Sequence, residues 1–217
     1  MDFVLSRNCG GIAYGRAVAQ VSGDGFDGLV HRLGERPIYC GAELRVAEVD
    51  LRLPGGDRLP WDVVWLARRA SVVLANDDRV LLVWRYRIAA DRWGWELPGG
   101  LVDDDEDPSV TVARELEELA GYRAGYLAPV VSFQPEPHSV DGEHAIFAGR
   151  DPEPIANARP LTGDVRCEWL PTRSVPALIA AGDIWAAGTL IGLLATGASG
   201  RPGASCRTTE SGRKHGP

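Results

Sequence analysis

The chain has 217 residues, a formal net charge of −7 and 45% hydrophobic residues, enough for one globular domain with its own core. The acidic balance argues against nonspecific nucleic-acid binding, which needs clustered basic surface, and no apolar run approaches the ~20 residues of a membrane-spanning helix. The N-terminus lacks the basic-then-apolar pattern of a secretory leader; Cys9, Cys40, Cys167 and Cys206 are far apart with no Cys-x-x-Cys pair, which favours free thiols and a reducing cytoplasm over a disulfide framework or a zinc site.

Residues 1–37 carry many glycines and no sustained periodicity, and read as a loose extension in which His31 is an exposed histidine. From Glu43 to Leu53 polar and apolar residues alternate with period two, the pattern of a half-buried strand. Pro54-Gly-Gly-Asp57 is a turn, and Trp61–Leu66 and Ala70–Ala75 are further strands. Asn76-Asp77-Asp78 makes a hairpin turn into a strand from Val80 to Arg87, and Trp95-Glu-Leu-Pro98 closes the run.

A helix follows. Asp107 is a good N-cap, Pro108 suits the first helical position, and Gly121 suits the left-handed residue that ends the helix after about Ala120. At helical spacing Glu115 and Glu118 share a face with Thr111 and Tyr122, while Val112, Leu116 and Ala120 form the face that turns inward. Two carboxylates one turn apart repel each other, and a divalent cation relieves that repulsion.

Beyond the helix, Ala124–Phe133 and Ala145–Gly149 read as strands, joined by a polar loop that holds Glu136, His138, Asp141, Glu143 and His144. The two histidines read as exposed loop residues. A strand ends at Cys167-Glu-Trp-Leu-Pro171, Ser174–Ala181 is a short helix, and Asp183 is expected to cap a last helix running to about Ala195. Residues 196–217 are rich in Gly, Ser and Arg and read as a disordered tail.

From Gly100 the chain runs five residues to Glu106, then seven to Arg114-Glu115, then Leu116-Glu117-Glu118-Leu119-Ala120-Gly121-Tyr122. This resembles the Nudix box of hydrolases that cleave nucleoside diphosphates linked to another group. One defined position departs: the second Glu of the Glu-Glu pair is Leu119. The resemblance covers residues 38–195 and implies an α+β fold, an α/β/α sandwich with a mixed central sheet. An N-terminal antiparallel sheet precedes it, as in the ADP-ribose pyrophosphatase branch, where that sheet often builds a homodimer.

The same resemblance implies the site. Glu115, Glu118 and the Gly100 backbone would hold Mg²⁺ or Mn²⁺, weakened by Leu119. Arg114 would orient the carboxylates, and Glu106 would stand behind them. The shared segments Arg85-Tyr86-Arg87 and Trp93-Gly-Trp95-Glu96 imply that Arg87 and Glu96 position the substrate. Trp93 and Trp95 read either as base-stacking or as core residues. The loop is expected to supply a catalytic acid near the attacking water, with Glu143 the first choice ahead of Asp141 and Glu136. The partner is then a small-molecule nucleoside diphosphate derivative, not a nucleic acid or a membrane. The alternative is a catalytically impaired domain that senses a nucleotide ligand. The loop begins Ser132-Phe-Gln-Pro135 instead of the branch's Ser-Pro-Gly, so ADP-ribose itself is not singled out.

Overall fold

The structure, a computed structural model, describes residues 30–155 and 165–199. The reading of residues 1–29 as an extension and of 200–217 as a tail lies outside the described residues; residues 196–199, read as the start of that tail, are instead packed, with Ala198 in the core and Ser199 buried.

Two sheets build the molecule. The smaller joins β1 (His31–Cys40), β2 (Leu44–Arg52) and β3 (Arg58–Leu66) as an antiparallel meander, and β9 (Val140–Asp141) adds to β3 in parallel. Its core is small: Ala47, Val49 and Trp65. Strand β1 corrects the expectation of loose chain up to residue 37. All ten of its residues are exposed, so burial imposes no alternation on the sequence. Its ladder to β2 shifts register twice, between Arg32 and Gly34 and between Pro37 and Tyr39. Cys40, at its end, is disulfide-bonded, against the expectation of free thiols, whereas Cys167 is free.

The larger sheet is mixed. Its order is β11 (Arg166–Pro171), β5 (Arg79–Arg87), β4 (Arg69–Asn76), β10 (His144–Pro154) and β8 (Tyr122–Phe133). Strands β6 (Arg92–Glu96) and β7 (Gly99–Leu101) pair beside β5 and β4. The β4–β10 pair is parallel and the other pairs are antiparallel. Because successive strand residues point to opposite faces, β4 and β5 feed two cores. Val72, Leu74 and Leu81 join Val112 and Leu116 on one side. Val73 and Leu82 join Ile184 and Leu193 on the other. The sheet is therefore sandwiched between the box helix and the C-terminal helices, as expected.

The box helix has two parts. α1 (Pro108–Glu115) begins where the Asp107 side chain accepts the Ser109 amide, and a π turn (Leu116–Ala120) continues it to Gly121, which is left-handed with φ 71°. α2 (Val175–Ala181) follows a short 3₁₀ turn. α3 (Ala187–Ala195) starts later than expected, and Asp183 does not cap it. Residues 183–186 instead run as a connection in which the Asp183 carbonyl accepts the Trp95 amide at 2.7 Å. That bond ties β6 to the C-terminal helices. Among the described residues, no helix is long and apolar enough to cross a membrane.

Candidate active site

A cleft of about 380 Å³ opens where β4, β5, β7 and β10 meet the start of α3. Arg69, Ser71, Arg87, Glu96, Gly100, His144 and Thr189 supply its polar lining. Arg87 and Glu96 are brought together there. The Arg87 Nε reaches Glu96 Oε1 at 2.8 Å and Oε2 at 3.1 Å, and its Nη2 makes a further contact with Oε2. Glu96 is buried. A buried carboxylate needs such a partner, and the hydrogen bond in turn raises the pKa of Arg87.

Glu115 comes from α1 to the backbone of Gly100, which lines this cleft, without lining it itself. A Cβ on Gly100 would lie 2.4 Å from Glu115 Oε1, so the carboxylate packs directly against Gly100 and a side chain there would displace it. Burial raises the Glu115 pKa, opposed by Arg114 and Arg85. Arg114 donates to Glu115 Oε1 at 3.3 Å and to Glu106 Oε2 at 3.0 Å. Glu106 also accepts from the Thr111 hydroxyl, and this bond with the one from Arg114 lowers its pKa.

The π turn decides where the other box residues go. Bonding from i to i+5 puts more residues into each turn than an α-helix holds. Residue i+4 then comes nearer to lying over residue i, and i+3 falls further round. From Glu115, position i+4 is Leu119 and position i+3 is Glu118. Accordingly Glu118 is exposed and is not among the residues lining the cleft, while Leu119 is half-buried. The Leu119 carbonyl accepts Cys167 Sγ at 3.3 Å, which holds the turn against β11. Glu117 is half-buried and pairs with Arg123 at 2.8 Å.

Among the described residues no three His, Cys, Asp or Glu side chains come together as a metal cage. Glu115 on the Gly100 backbone does fit a smaller role. Mg²⁺ commonly takes one or two carboxylates and completes its shell with substrate phosphates and water.

The loop after β8 is held away from the cleft floor. Gln134 donates to Asp141 at 3.0 Å and accepts the Gly142 amide at 2.8 Å. The Trp61 indole donates to the His138 carbonyl at 3.3 Å. Glu136 and Glu143 are exposed, and the Glu143 carbonyl accepts the Arg69 amide. Neither acid lines the cleft.

His144 was expected to be an exposed loop residue and is not. It opens β10, lies 2.9 Å from the Ser71 hydroxyl through Nε2, and stacks on Phe133 at 5.1 Å. Gly188 of α3 passes so close that a Cβ there would meet the ring at 2.4 Å. Burial, with the charge of Arg69, lowers its pKa to about 4, so the ring is neutral at physiological pH. The strand expected from Ala145 begins one residue earlier, at His144. Of the two tryptophans, Trp95 is core and Trp93 stacks on Trp84 with ring centres 6.1 Å apart. Trp185 also lines the cleft and donates to the Trp93 carbonyl at 3.1 Å.

Comparison with known proteins identifies the class of this sandwiched mixed sheet and its cleft lined by Arg69, Arg87 and Glu96. The NUDIX domain model matches residues 65–189. The chain is 38% identical over 176 residues to CMP-5'-(N-acetyl-N-hydroxy-3-aminopropyl)phosphonate hydrolase of Streptomyces rubellomurinus, covering 78% of this chain and 85% of that one. It is 26% identical to an ADP-ribose pyrophosphatase of Mycobacterium tuberculosis over 75% of this chain and 81% of that one. A crystal structure of an ADP compounds hydrolase superposes with a TM-score of 0.69 at 19% identity, covering 77% of this chain and 91% of that one. The chain belongs to the Nudix family. It is an enzyme of the Nudix hydrolase type, in a branch like that of the ADP-ribose pyrophosphatases.

Proposed function

We propose that the chain hydrolyses the phosphoanhydride of a nucleoside diphosphate linked to another group, of the ADP-ribose or nucleotide-sugar type. Nucleoside monophosphates joined to a phosphonate are included because of what the 38% identical relative is named for. The observation that carries this is the cleft itself: Arg69 and Arg87 face the space beside Gly100, where the Glu115 carboxylate rests.

In this reading Arg87, fixed by Glu96, and Arg69 bind the diphosphate oxygens. Guanidinium forks match phosphate geometry and keep their charge. Glu115 and the Gly100 backbone anchor a divalent ion, Mg²⁺ or Mn²⁺, and Glu118 contributes from the exposed rim. An ion held there would supply Lewis-acid chemistry, offsetting phosphate charge and making water a better nucleophile. Arg114 and Glu106 hold the Glu115 carboxylate in place. Water forms a new P–O bond as the anhydride P–O bond breaks, and the leaving phosphate takes the electron pair. The water's proton passes to an acid of the loop after β8, for which Glu143, exposed and outside the cleft lining, is the candidate.

The experiment is a product screen by mass spectrometry. Nucleoside diphosphate sugars, ADP-ribose, a cytidylyl phosphonate and dinucleoside polyphosphates are offered with Mg²⁺ or Mn²⁺. Two phosphate-bearing products above the enzyme-free rate are expected from one class. No product from any class would overturn the reading.

One observation favours a second reading, a domain that binds a nucleotide without turning it over. Leu119 stands where an acid is expected and Glu118 is exposed. Calorimetric binding of a substrate that the protein then leaves intact would establish it.

A further inference from the structure

Trp185 takes no part in the bond-breaking proposed above, yet it lines the same cleft. It lies on the connection between α2 and α3 and is half-buried. Its pose is fixed from several sides. The indole Nε1 donates to the Trp93 carbonyl at 3.1 Å. The Arg92 guanidinium stands over the ring, 4.8 Å from its centroid, and donates to the Gly182 carbonyl at 2.5 Å. Gly94 supplies a notch for the ring edge, since a Cβ there would overlap the indole nitrogen. A ring that served packing alone would gain from full burial. This one is held half-open at the cleft wall. Trp93 and Trp95, the tryptophans that the sequence offered for base stacking, are both engaged with Trp84 instead.

The wall around Trp185 is made of Ala89 and Ala90 from the β5–β6 turn, with Ala186 and Ala187 at the start of α3. One-carbon side chains beside a fixed indole leave room for a flat ring. None of them carries a polar atom, and the indole nitrogen is already committed to Trp93. The cleft therefore joins an aromatic, hydrogen-bond-poor wall to the charged groups Arg69, Arg87 and Glu96.

We propose that Trp185 is the stacking platform for the nucleobase, and that this slot takes purines and pyrimidines alike because no side chain in it reads a base edge. The inference rests on the reading of this cleft as the substrate site and deepens it by saying how the nucleoside is chosen. Stacking tolerates any base, because every base has a π-face. Strong discrimination needs buried polar groups that one ligand satisfies and another leaves unpaired, and this wall has none among its side chains. A ring already locked in place loses little freedom when a base lands on it.

The test is calorimetric binding of CMP, UMP, AMP and GMP to the full chain at one Mg²⁺ concentration, with ribose 5-phosphate as the probe that lacks a base. None of these has an anhydride to break. Wild type is expected to bind the four nucleotides within about tenfold of one another, and each about fivefold or more tighter than ribose 5-phosphate. Trp185→Ala should weaken every nucleotide by about 5- to 150-fold, as the loss of one stacking ring does, and leave ribose 5-phosphate unchanged. Trp185→Phe keeps an aromatic face and should restore most of that loss. Nucleotide affinities that Trp185→Ala leaves unchanged would overturn the proposal. So would a loss that ribose 5-phosphate shares, which is what a merely structural role gives. A wild-type preference for one base well beyond tenfold, or nucleotides that bind wild type no tighter than ribose 5-phosphate, would overturn it without any variant. The product screen keeps the two layers apart. If substrate is cleaved while Trp185→Ala keeps wild-type affinities, only the platform fails. If the nucleotides bind as expected and no substrate is cleaved, the platform stands and the hydrolytic reading fails.

Discussion

Glu115 and Gly100 show how closely single residues define the site. The carboxylate lies where a Cβ at position 100 would have to be. Gly100→Ala should therefore push it aside, and a displacement of about 1 Å at a reacting centre can cost on the order of 100-fold in rate. The expected outcome is a loss of that order in kcat with an unfolding midpoint close to wild type; unchanged kcat would contradict the geometry. His144 gives a prediction in pH. Its folded pKa is about 4, below the ordinary value of 6.5. Between those values the unfolded chain binds a proton that the folded chain does not. The contribution is thus complete above pH 6.5 and is lost as the pH falls toward 4, by at most about 3 kcal/mol. His144→Gln should flatten urea-derived stability across that window, and an equally steep slope in the variant would count against the buried, neutral ring. Cys167 behaves oppositely: burial raises its pKa to about 11, so little thiolate exists near neutrality. It should resist iodoacetamide in the native protein and react after denaturation. At this scale the motif residues were legible because their spacing is fixed. His144 was not, because burial cannot be read from one sequence.

The box helix carries the main lesson at the scale of elements. Its ends were legible from local chemistry: Asp107 before Pro108 at one end, and the left-handed Gly121 at the other. Its interior was not, because an even helical spacing places Glu118 below Glu115 and the π turn does not. That turn is set by packing: Leu116 is fully buried and the Leu119 carbonyl is tied to Cys167. Leu116→Ala should cost about 2–5 kcal/mol in chemical denaturation, as other buried Leu truncations do. Leu119→Glu places an acid over Glu115 and is expected to tighten Mn²⁺ binding; unchanged affinity would show that position 119 does not face the ion. The central strands of the larger sheet were legible as short apolar runs between turn residues, because β4 and β5 are buried on both faces. Strand β1 was missed because nothing along it is buried. The late start of α3 was missed because Asp183 resembles a cap, while its backbone is engaged by Trp95 and Leu178.

The whole molecule is a sandwich whose two helical layers reach one cleft from opposite faces of the sheet. α1 brings Glu115 to Gly100, and α3 brings Gly188 and Thr189 to His144 and Leu97. The smaller sheet stands to the side, joined to the loop before β10 through the β3–β9 pairing. Its outer strand exposes Leu33, Ile38 and Tyr39. The central claim is that the cleft beside Glu115 splits a phosphoanhydride with water. The most direct measurement is a single-turnover reaction in ¹⁸O-labelled water with the best substrate of the screen, comparing wild type with Glu115→Gln. The account predicts one labelled phosphate product from wild type and none above background from the variant. Equal labelling by both proteins, or unlabelled products from wild type, would contradict it.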